Sequence, residues 1–544
     1  MNSYDIFKKL TKGIKFDQRR FKDDFKKLGL QQSASGALDK PVVPLAEQEH
    51  EPNTEGKEEK AKSKKKKKTL NDKQKQLKLQ QEQIRHRRRQ LGIQVWGADV
   101  PPPVEKFSEL VTDHEVNNKL VANIESQGHT LPTPVQAQAW PLMLQRRHIL
   151  ASAPTGSGKT AAFLIPLLHG LGGPKKKGFR AVILSPTREL ASQIHRECVR
   201  LGEGLGIRAV TIANVTKAKQ KYGPQSSQKF DLLVTTPNRL VYMLQENADG
   251  PPLSLANVEW LVVDESDRLF EDGQRGFRDQ LATIYRACTG PSVTQALFSA
   301  TFAQSVQDWC RLNLHNLATV TVGLRNTASE DVKQHLQFCG SEEGKLHALR
   351  EIFRKGYEPP VLIFVQTKER AKELFRELIY DNITVDAIHA DRTQKQRDNV
   401  VAAFREGKIW VLICTELMSR GVDFKGVNLV INYDFPPSAV SYIHRVGRTG
   451  RAGRQGQSVT FWTMEDRPRL RSIAHVVQSS GCEVPQWMLE LKKPSKNEKR
   501  RLTTQQPQRG HVSHAVQHEK VAKRRRKQML EKRKKMKTES SEAA

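Results

Sequence analysis

Through the middle of the chain, short apolar runs recur between longer stretches in which apolar residues return every three to four positions. Ile149-Leu150, Ala181 to Leu184, Leu232 to Val234, Leu261 to Val263 and Ala296 to Phe298 form one series, from Phe107 to about Val322. Continuous apolar runs of this length, bounded by polar turns, predict strands buried on both faces, and the helical periodicity between them predicts crossover helices. A second series begins near Val332, with strands expected at Val361 to Val365, Trp410 to Cys414, Leu429 to Tyr433 and Ser458 to Trp462. The pattern predicts two tandem α/β domains with parallel sheets, residues 105–323 and 332–482, joined by a polar linker over 324–331.

The flanks break this rhythm. Ile6, Leu10, Ile14, Phe21, Phe25 and Leu28 stand at helical spacings among lysines and predict short amphipathic helices, whereas residues 31–63 are polar and expected to be disordered. A lysine block from Lys64 to Lys68, a Gln/Lys-rich stretch ending in Arg85-His86-Arg87-Arg88-Arg89, and the boundary Pro101-Pro102-Pro103 complete an N-terminal extension over 1–104. Residues 483–544 read as a basic, partly helical tail that includes Arg524-Arg525-Arg526-Lys527.

Composition adds a partner class. The 544 residues carry a formal charge of +31, and it is concentrated at the ends: residues 1–104 hold 25 Lys+Arg against 14 Asp+Glu, and residues 485–544 hold 18 against 6. The basic excess therefore belongs to appendages, which suits a polyanionic partner. The six cysteines, at 198, 288, 310, 339, 414 and 482, form no C-x-x-C pair and lie near no histidine at ligand spacing, so neither a zinc site nor a disulfide framework is expected. No run reaches 18 apolar residues and the N-terminus alternates Lys with apolar residues, so the expectation is a soluble intracellular protein with no membrane partner.

The candidate chemistry starts at Ala151 to Thr160, ASAPTGSGKT, between an apolar dipeptide and an apolar helix start. In a strand–loop–helix of this kind, Gly156 and Gly158 let backbone N–H groups turn toward an anion, and Lys159 adds a full charge to the partial charge of the helix N-terminus. A nucleoside triphosphate fits, with the Thr160 hydroxyl on Mg2+. Ala153 stands where the strict phosphate-loop pattern has Gly. About a hundred residues on, the apolar run Trp260 to Val263 delivers Asp264, placed to hold Mg2+ through water, and Glu265, placed to polarise an attacking water.

Asp264-Glu265-Ser266-Asp267 is one letter from the tetrapeptide that names the DEAD-box RNA helicases, and the other motifs of that family stand in order. Gln136, within Pro132-Thr133-Pro134-Val135-Gln136, resembles the family's adenine-reading glutamine, with Phe107 upstream. Then come Pro186-Thr187-Arg188-Glu189-Leu190, Thr236-Pro237-Asn238-Arg239 and Ser299-Ala300-Thr301. The second half has Leu362 to Val365, Gln394 to Arg397, Thr415 to Asp423, and His444-Arg445-Val446-Gly447-Arg448-Thr449-Gly450-Arg451. The resemblance covers roughly residues 105 to 480 and implies two RecA-like domains of helicase superfamily 2, ATP and Mg2+ as ligands, and RNA as substrate. It assigns nucleotide contact to Phe107, Gln136, Ala153, Thr155, Gly156, Ser157, Gly158, Lys159 and Thr160, with the ribose to Asp423 and the metal to Thr160 and Asp264. RNA contact falls to Pro186, Thr187, Arg188, Thr236, Arg239, Arg397 and Thr415, and coupling to Ser299, Thr301, Asp267 and His444. Arg448 and Arg451, three apart on an expected helix, act in the family as arginine fingers. Lys159, Asp264, Glu265, Arg448 and Arg451 are the expected catalytic set.

Several letters depart from the family pattern: His129 for a Phe or Tyr beside the adenine, Asn214 near a common Gly pair, Asn238 for Gly, Glu416 for Asp, Ser419 for Ala and Ser266 for Ala. The Ser266 form, with Lys15-Phe16-Asp17, Arg20-Phe21 and the basic ends, resembles a eukaryotic subfamily that works in the nucleolus on precursors of the small ribosomal subunit. The implied setting is nuclear and nucleolar, with pre-rRNA in pre-ribosomal particles as partner, room for a protein activator or adaptor, and a monomeric core. Three alternatives stay open on residues alone: a non-catalytic RNA clamp or assembly scaffold, a DEAD-box helicase of another RNA pathway, and a DNA translocase of the same superfamily.

The charged ends predict RNA affinity that falls linearly in log–log form as salt rises, because each neutralised phosphate releases counterions. Filter binding of a single-stranded RNA across a salt series measures the slope. A flat profile would reduce the ends to solubilising or targeting segments.

Overall fold

A computed structural model describes residues 75–222, 229–245, 252–271, 276–301, 304–324, 327–415, 424, 426–451, 454–495, 497–498, 501–502 and 507–512. The readings made on residues 3–28, 31–68 and 524–527, and on Glu416, Ser419 and Asp423, lie outside them. The compact unit Lys78–Ala544 holds two sheets.

The first sheet comprises β1 (Ile93–Trp96), β2 (Ile149–Ser152), β3 (Ala181–Leu184), β4 (Ala209–Thr211), β5 (Leu232–Thr235), β6 (Trp260–Val263), β7 (Thr294–Ser299) and β8 (Ala318–Val322), in the order β1-β8-β2-β7-β6-β3-β5-β4. Neighbours run parallel except β1, which is antiparallel to β8. Covering helices are α1 (Phe107–Thr112), α2 (Asn118–Glu125), α3 (Pro134–Leu144), α4 (Lys159–Leu171), α5 (Arg188–Leu201), α6 (Val215–Lys221), α7 (Pro237–Leu244), α8 (Ser266–Leu269), α9 (Arg278–Ala287) and α10 (Gln304–Asn313). Strand side chains alternate between two cores. Ile183, Val262 and Phe298 pack with Trp140 and Phe163 on one face, while Val182, Leu261 and Leu297 pack with Leu240, Ile284 and Cys310 on the other. Two buried faces explain why the central strands read as unbroken apolar runs.

The second sheet orders β9 (Val332–Phe338), β10 (Val361–Val365), β11 (Val385–Ile388), β12 (Val411–Thr415), β13 (Leu429–Asn432) and β14 (Gly456–Trp462) as β11-β12-β10-β13-β14-β9, all parallel. Its helices are α11 (Glu342–Lys355), α12 (Lys368–Tyr380), α13 (Gln394–Arg405), α14 (Ala439–Val446), α15 (Arg467–Ser479) and α16 (Gln486–Glu490). The tandem architecture matches the expectation, and the strands fall within a residue or two of their predicted places.

The domain boundaries need correction at both ends. The first domain starts before residue 105, because β1 completes its sheet and Arg88 anchors the helical segment over residues 75–90. Arg88 Nε donates to Gln138 Oε1 at 2.9 Å, and Nη2 to the carbonyls of Val100 and Pro101. A four-residue strand beside a basic block and a proline run carries too short a pattern to read. The second domain extends past residue 482: Met488 and Leu489 on α16 join the core around Trp462, and Val512 is fully buried against Leu349, Val361 and Leu374.

Asp434, just after β13, is the polar centre of the second domain. Burial alone would push its carboxyl up, but Arg370, forking onto it with two bonds of 2.7 Å, and then Lys345 and Arg509 hold it at about 2. A folded-state value below the ordinary 3.8 stabilises the fold above about pH 4, and the contribution fades as pH falls toward 2. Asp434→Asn leaves buried cations without their anion and should cost about 3 to 5 kcal/mol at neutral pH. It should also shrink the loss of stability between pH 4 and pH 2 by about 2 kcal/mol, measured by thermal unfolding across a pH series.

Candidate nucleotide and RNA site

The carboxyl edge of the first sheet sorts the candidate residues by neighbouring strands. β2 leads into the phosphate loop, β7 ends at Ser299 and β6 ends at Asp264, and these three strands are adjacent, with Ser152 paired to Ser299. On the other side of β6, β3 and β5 deliver Pro186 to Arg188 and Thr236 to Arg239. Nucleotide candidates thus occupy one half of the edge and RNA candidates the other.

In the loop, Gly156 and Gly158 have φ of +80° and +88°. Gly158 is required twice over, since a Cβ there would lie 2.6 Å from Gln136 Nε2. Ala153 is not among the positive-φ residues, so the departure from Gly costs nothing; it is buried, and its carbonyl accepts from Lys159 Nζ at 2.7 Å. Lys159 also donates to Pro154 O at 2.8 Å, and the loop hangs on β7 through Ala153 N to Ser299 O at 3.1 Å. Gln136 Oε1 accepts from Thr133 N at 3.0 Å and Nε2 donates to Gly158 O at 3.1 Å, so the glutamine ties the start of α3 to the loop. Phe107 does not face a nucleotide: it is 4% exposed, its ring 5.9 Å from that of Trp140, whose Nε1 donates to Ala161 O on α4. It braces the helices behind the loop, because an aromatic this apolar is worth more in the core than at a polar cleft.

Asp264 and Glu265 lie opposite the loop, 5% and 8% exposed. Glu265 has φ +48° and ψ +50°, a left-handed conformation that costs a non-glycine residue energy and marks a functional turn. Its Oε2 is buried with no hydrogen-bond partner. Burial, then Glu265, push the Asp264 carboxyl up against the pull of Lys159. Burial likewise pushes the Lys159 ammonium down, with Asp264, Glu265 and Asp267 opposing. A site holding an ammonium against loop carbonyls and an unpartnered carboxylate oxygen suits an incoming anion with a cation and water.

The second domain faces this half-site across a cleft of about 580 Å3, lined among others by Gln136, His129, Lys159, Glu265, Arg448 and Arg451. The helix expected under the two arginines is corrected here. α14 ends at Val446, and Gly447 begins a turn that Thr449 pins through Oγ1 to Val427 O at 2.6 Å. Gly450 closes the turn at φ +64°. Both arginines still line the cleft: Arg448 Nε donates to His444 O at 3.1 Å and Arg451 Nε to Gly447 O at 2.9 Å. Contacts among the described residues join the domains. His444 Nε2 donates to Asp267 Oδ2 at 2.6 Å, and the same oxygen accepts from Thr301 Oγ1 at 2.6 Å. Thr155 Oγ1 donates to Gly447 O at 2.8 Å, where a Cβ on Gly447 would overlap the threonine. Arg397 pairs with Glu189 at 2.9 Å.

Of the RNA candidates, Thr187, Arg239 and Arg397 are already engaged within the protein. Thr187 caps α5, its side chain accepting from Leu190 N. Thr236 is the residue before α7, and Arg239 on that helix holds the carbonyls of Ile212 and Ala213. Burial, then the charge of Arg188, push the Arg239 guanidinium down to about 10, with Glu189 opposing. Arg188 is exposed, and Thr415 ends β12 in a nearly buried position. Asn214 has a use of its own, its side chain capping α6 at Lys217 N. Sequence reasoning did not single out Glu189, although it lies inside a quoted motif, nor Gly447, whose signal is a glycine between two functional residues.

Among the described residues no group of three or more His, Cys, Asp or Glu could hold a metal alone. Thr160 and Asp264 can supply two oxygens, which suits Mg2+ completing its shell with phosphates and water. The unpartnered Glu265 Oε2, the Lys159 ammonium and the left-handed glycines fit a nucleoside triphosphate with such an ion.

The family model described as DEAD/DEAH box helicase matches residues 133–309, and that described as helicase conserved C-terminal domain matches residues 344–453. The chain is similar to the probable ATP-dependent RNA helicase DDX52 of Bos taurus, 57% identical over 78% of this chain and 71% of that protein. It is similar to the DEAD-box ATP-dependent RNA helicase 57 of Oryza sativa subsp. japonica, 49% identical over 75% and 73%, and to the ATP-dependent RNA helicase ROK1 of Eremothecium gossypii, 41% identical over 83% and 80%. Among solved structures, S. cerevisiae Dbp5 bound to RNA and ADP BeF3 aligns with a TM-score of 0.59 at 27% identity, covering 68% of this chain and 93% of that one. Mss116p bound to ssRNA and AMP-PNP aligns with a TM-score of 0.59 at 25% identity, covering 76% and 84%.

Gly158→Ala should remove nucleotide binding while leaving the fold intact, since it imposes left-handed strain of about 1 to 2 kcal/mol and displaces Gln136. Titration with a fluorescent ATP analogue, beside a thermal melt, checks both halves.

Proposed function

The chain belongs to the DEAD-box family of ATP-dependent RNA helicases, and from that footing we propose how its own residues carry out the work. ATP lies in the loop Ala153 to Thr160, with Gln136 reading the adenine and Asp423 the ribose. Lys159 exchanges the loop carbonyls for phosphate oxygens. Mg2+, held through Thr160 and Asp264 with phosphates and water, neutralises phosphate charge. Glu265 takes the attacking water on its free oxygen, and Arg448 and Arg451 reach across the cleft to the charge that grows on the γ-phosphate.

RNA runs along both sheet edges, held by Pro186 to Arg188, Thr236 and Arg239 in the first domain and by Arg397 and Thr415 in the second. Contacts to phosphates and 2′-hydroxyls carry little sequence information, so the core is nearly sequence-blind. Closure bends the bound strand, which disfavours a short duplex, and hydrolysis resets the pair of domains. The observation that carries this reading is the Asp267 carboxylate shared between Thr301 and His444, because that oxygen gains its second donor when the domains meet. Dbp5 and Mss116p, solved with RNA bound, share the fold.

For the biological task, we propose action on pre-rRNA in pre-ribosomal particles in the nucleolus, supported by the Ser266 form and the basic ends. Crosslinking of the tagged protein to RNA in cells tests that step, and reads confined to messenger or spliceosomal RNA would overturn it.

Steady-state ATP hydrolysis with and without single-stranded RNA tests the engine. Wild-type protein should turn over only weakly without RNA, and Glu265→Gln should bind ATP yet stall. Arg448→Ala should lose a factor of about 10³ or more. Full turnover in purified Arg448→Ala would sink the finger assignment.

A further inference from the structure

Beyond the helicase motifs, residues 507–512 lie in a polar slot of the second domain. The Arg509 side chain is 1% exposed and reaches Asp466, Glu342, Gln366 and Asp434. Nη2 donates to Asp466 Oδ1 at 2.6 Å, Nη1 to Glu342 Oε1 at 3.3 Å and Nε to Gln366 Oε1 at 2.9 Å, and Nε stands 3.7 Å from Asp434 Oδ1. The backbone is gripped too: Gln366 Nε2 donates to Pro507 O at 3.0 Å, Arg370 Nη1 to Gly510 O, and Val512 N donates to Glu373 Oε2 at 3.1 Å. His511 Nδ1 meets Glu373 Oε1 at 2.7 Å, and Val512 ends in the core.

Charge explains why an arginine belongs there. Among the described residues, Glu342, Asp434 and Asp466 stand with Lys345, Arg370 and Arg469, Glu373 meets His511, and Arg509 adds a further cation on Asp466, Glu342 and Asp434. Its planar fork fixes the directions of its donors, with Nη2 on Asp466 and Nη1 on Glu342, a geometry that a lysine's single nitrogen does not reproduce. An unfilled slot would leave those three carboxylates without that cation.

The slot also backs onto the nucleotide cleft. Arg445 on α14 donates through Nη1 to the backbone carbonyl of Asp434 at 2.9 Å, and its neighbour His444 is the residue that meets Asp267. The anion that receives Arg509 therefore carries, on its own backbone, the anchor of the helix that leads into Arg448 and Arg451.

We propose that this slot is a binding site for an arginine-bearing peptide segment, filled in cis by residues 507–512, and that its occupation positions α14 and the arginines after it for hydrolysis. Arg509 is a positioning residue: it acts through Asp434 and Arg445 and touches no nucleotide. The positioning half rests on the role proposed for Arg448 and Arg451, and the docking half does not.

The test uses full-length protein. In hydrogen exchange, the Val512 amide should be protected in wild type and should exchange about tenfold faster in Arg509→Ala. With saturating RNA, Arg509→Ala should lower kcat about fivefold with KM for ATP unchanged, because the phosphate loop belongs to the other domain. Arg509→Lys, which keeps the charge and loses the fork, should recover part of kcat, a graded response that simple loss of fold would not give. Should Arg509→Ala fail to fold, His511→Ala loosens the strap from its half-exposed side and should show the same effects on a smaller scale. Wild-type exchange at 507–512 as fast as in an unstructured peptide overturns the docking. A released strap with unaltered kcat overturns the positioning. Absence of turnover in wild type would remove the finger roles and with them the positioning half, while exchange at Val512 would still decide the docking.

Discussion

One carboxylate oxygen, Asp267 Oδ2, accepts a hydrogen bond from Thr301 on its own domain and another from His444 on the other, each at 2.6 Å and both out of water. A buried anion with too few donors is costly, and taking the second domain away would remove one of these two. The bond belongs to a circuit. The phosphate loop holds β7 through Ala153 and Ser299, Thr301 follows Ser299 and reaches Asp267, His444 leads along α14 to Gly447, and Gly447 accepts from Thr155 back in the loop.

The RNA edge obeys the same economy of charge. Arg397 spends its cation on Glu189, and Arg239 spends its donors on two backbone carbonyls. On the proposed reading, RNA would compete for these groups, an exchange favoured where a phosphate offers a stronger acceptor than a carbonyl. Burial, then the charge of Arg188, disfavour the Arg239 cation. Binding by exchange keeps the empty protein from carrying unpaired charge in a half-buried groove.

Much of this was legible in the residues. Strands buried on both faces write unbroken apolar runs, so the two sheets could be read from Ala181 to Leu184 and its counterparts, and phosphate chemistry needs glycines and a lysine in fixed order. What escaped has physical reasons. Phe107 carries the same letter whether it stacks on a base or braces Trp140, and burial decides which. The turn bearing Arg448 and Arg451 was read as helix because an i, i+3 spacing suits both, and Gly447 with Gly450 ends the helix early. Asp423 lies outside the described residues.

The boundaries escaped for a deeper reason. Periodicity reports apolar contact, and the helical segment before β1 and the 507–512 strap are tied to their domains largely by polar groups: Arg88 on Gln138 and two carbonyls at one end, Arg509 on a cluster of carboxylates at the other. In a linear reading both arginines vanish into the basic extensions, where charge means solvent or RNA. A buried arginine differs from its neighbours through the acids that await it, and Glu342, Asp434 and Asp466 stand more than forty residues away along the chain. The extent of a domain built this way is set by where its buried carboxylates are met, which in the second domain reaches to Arg509.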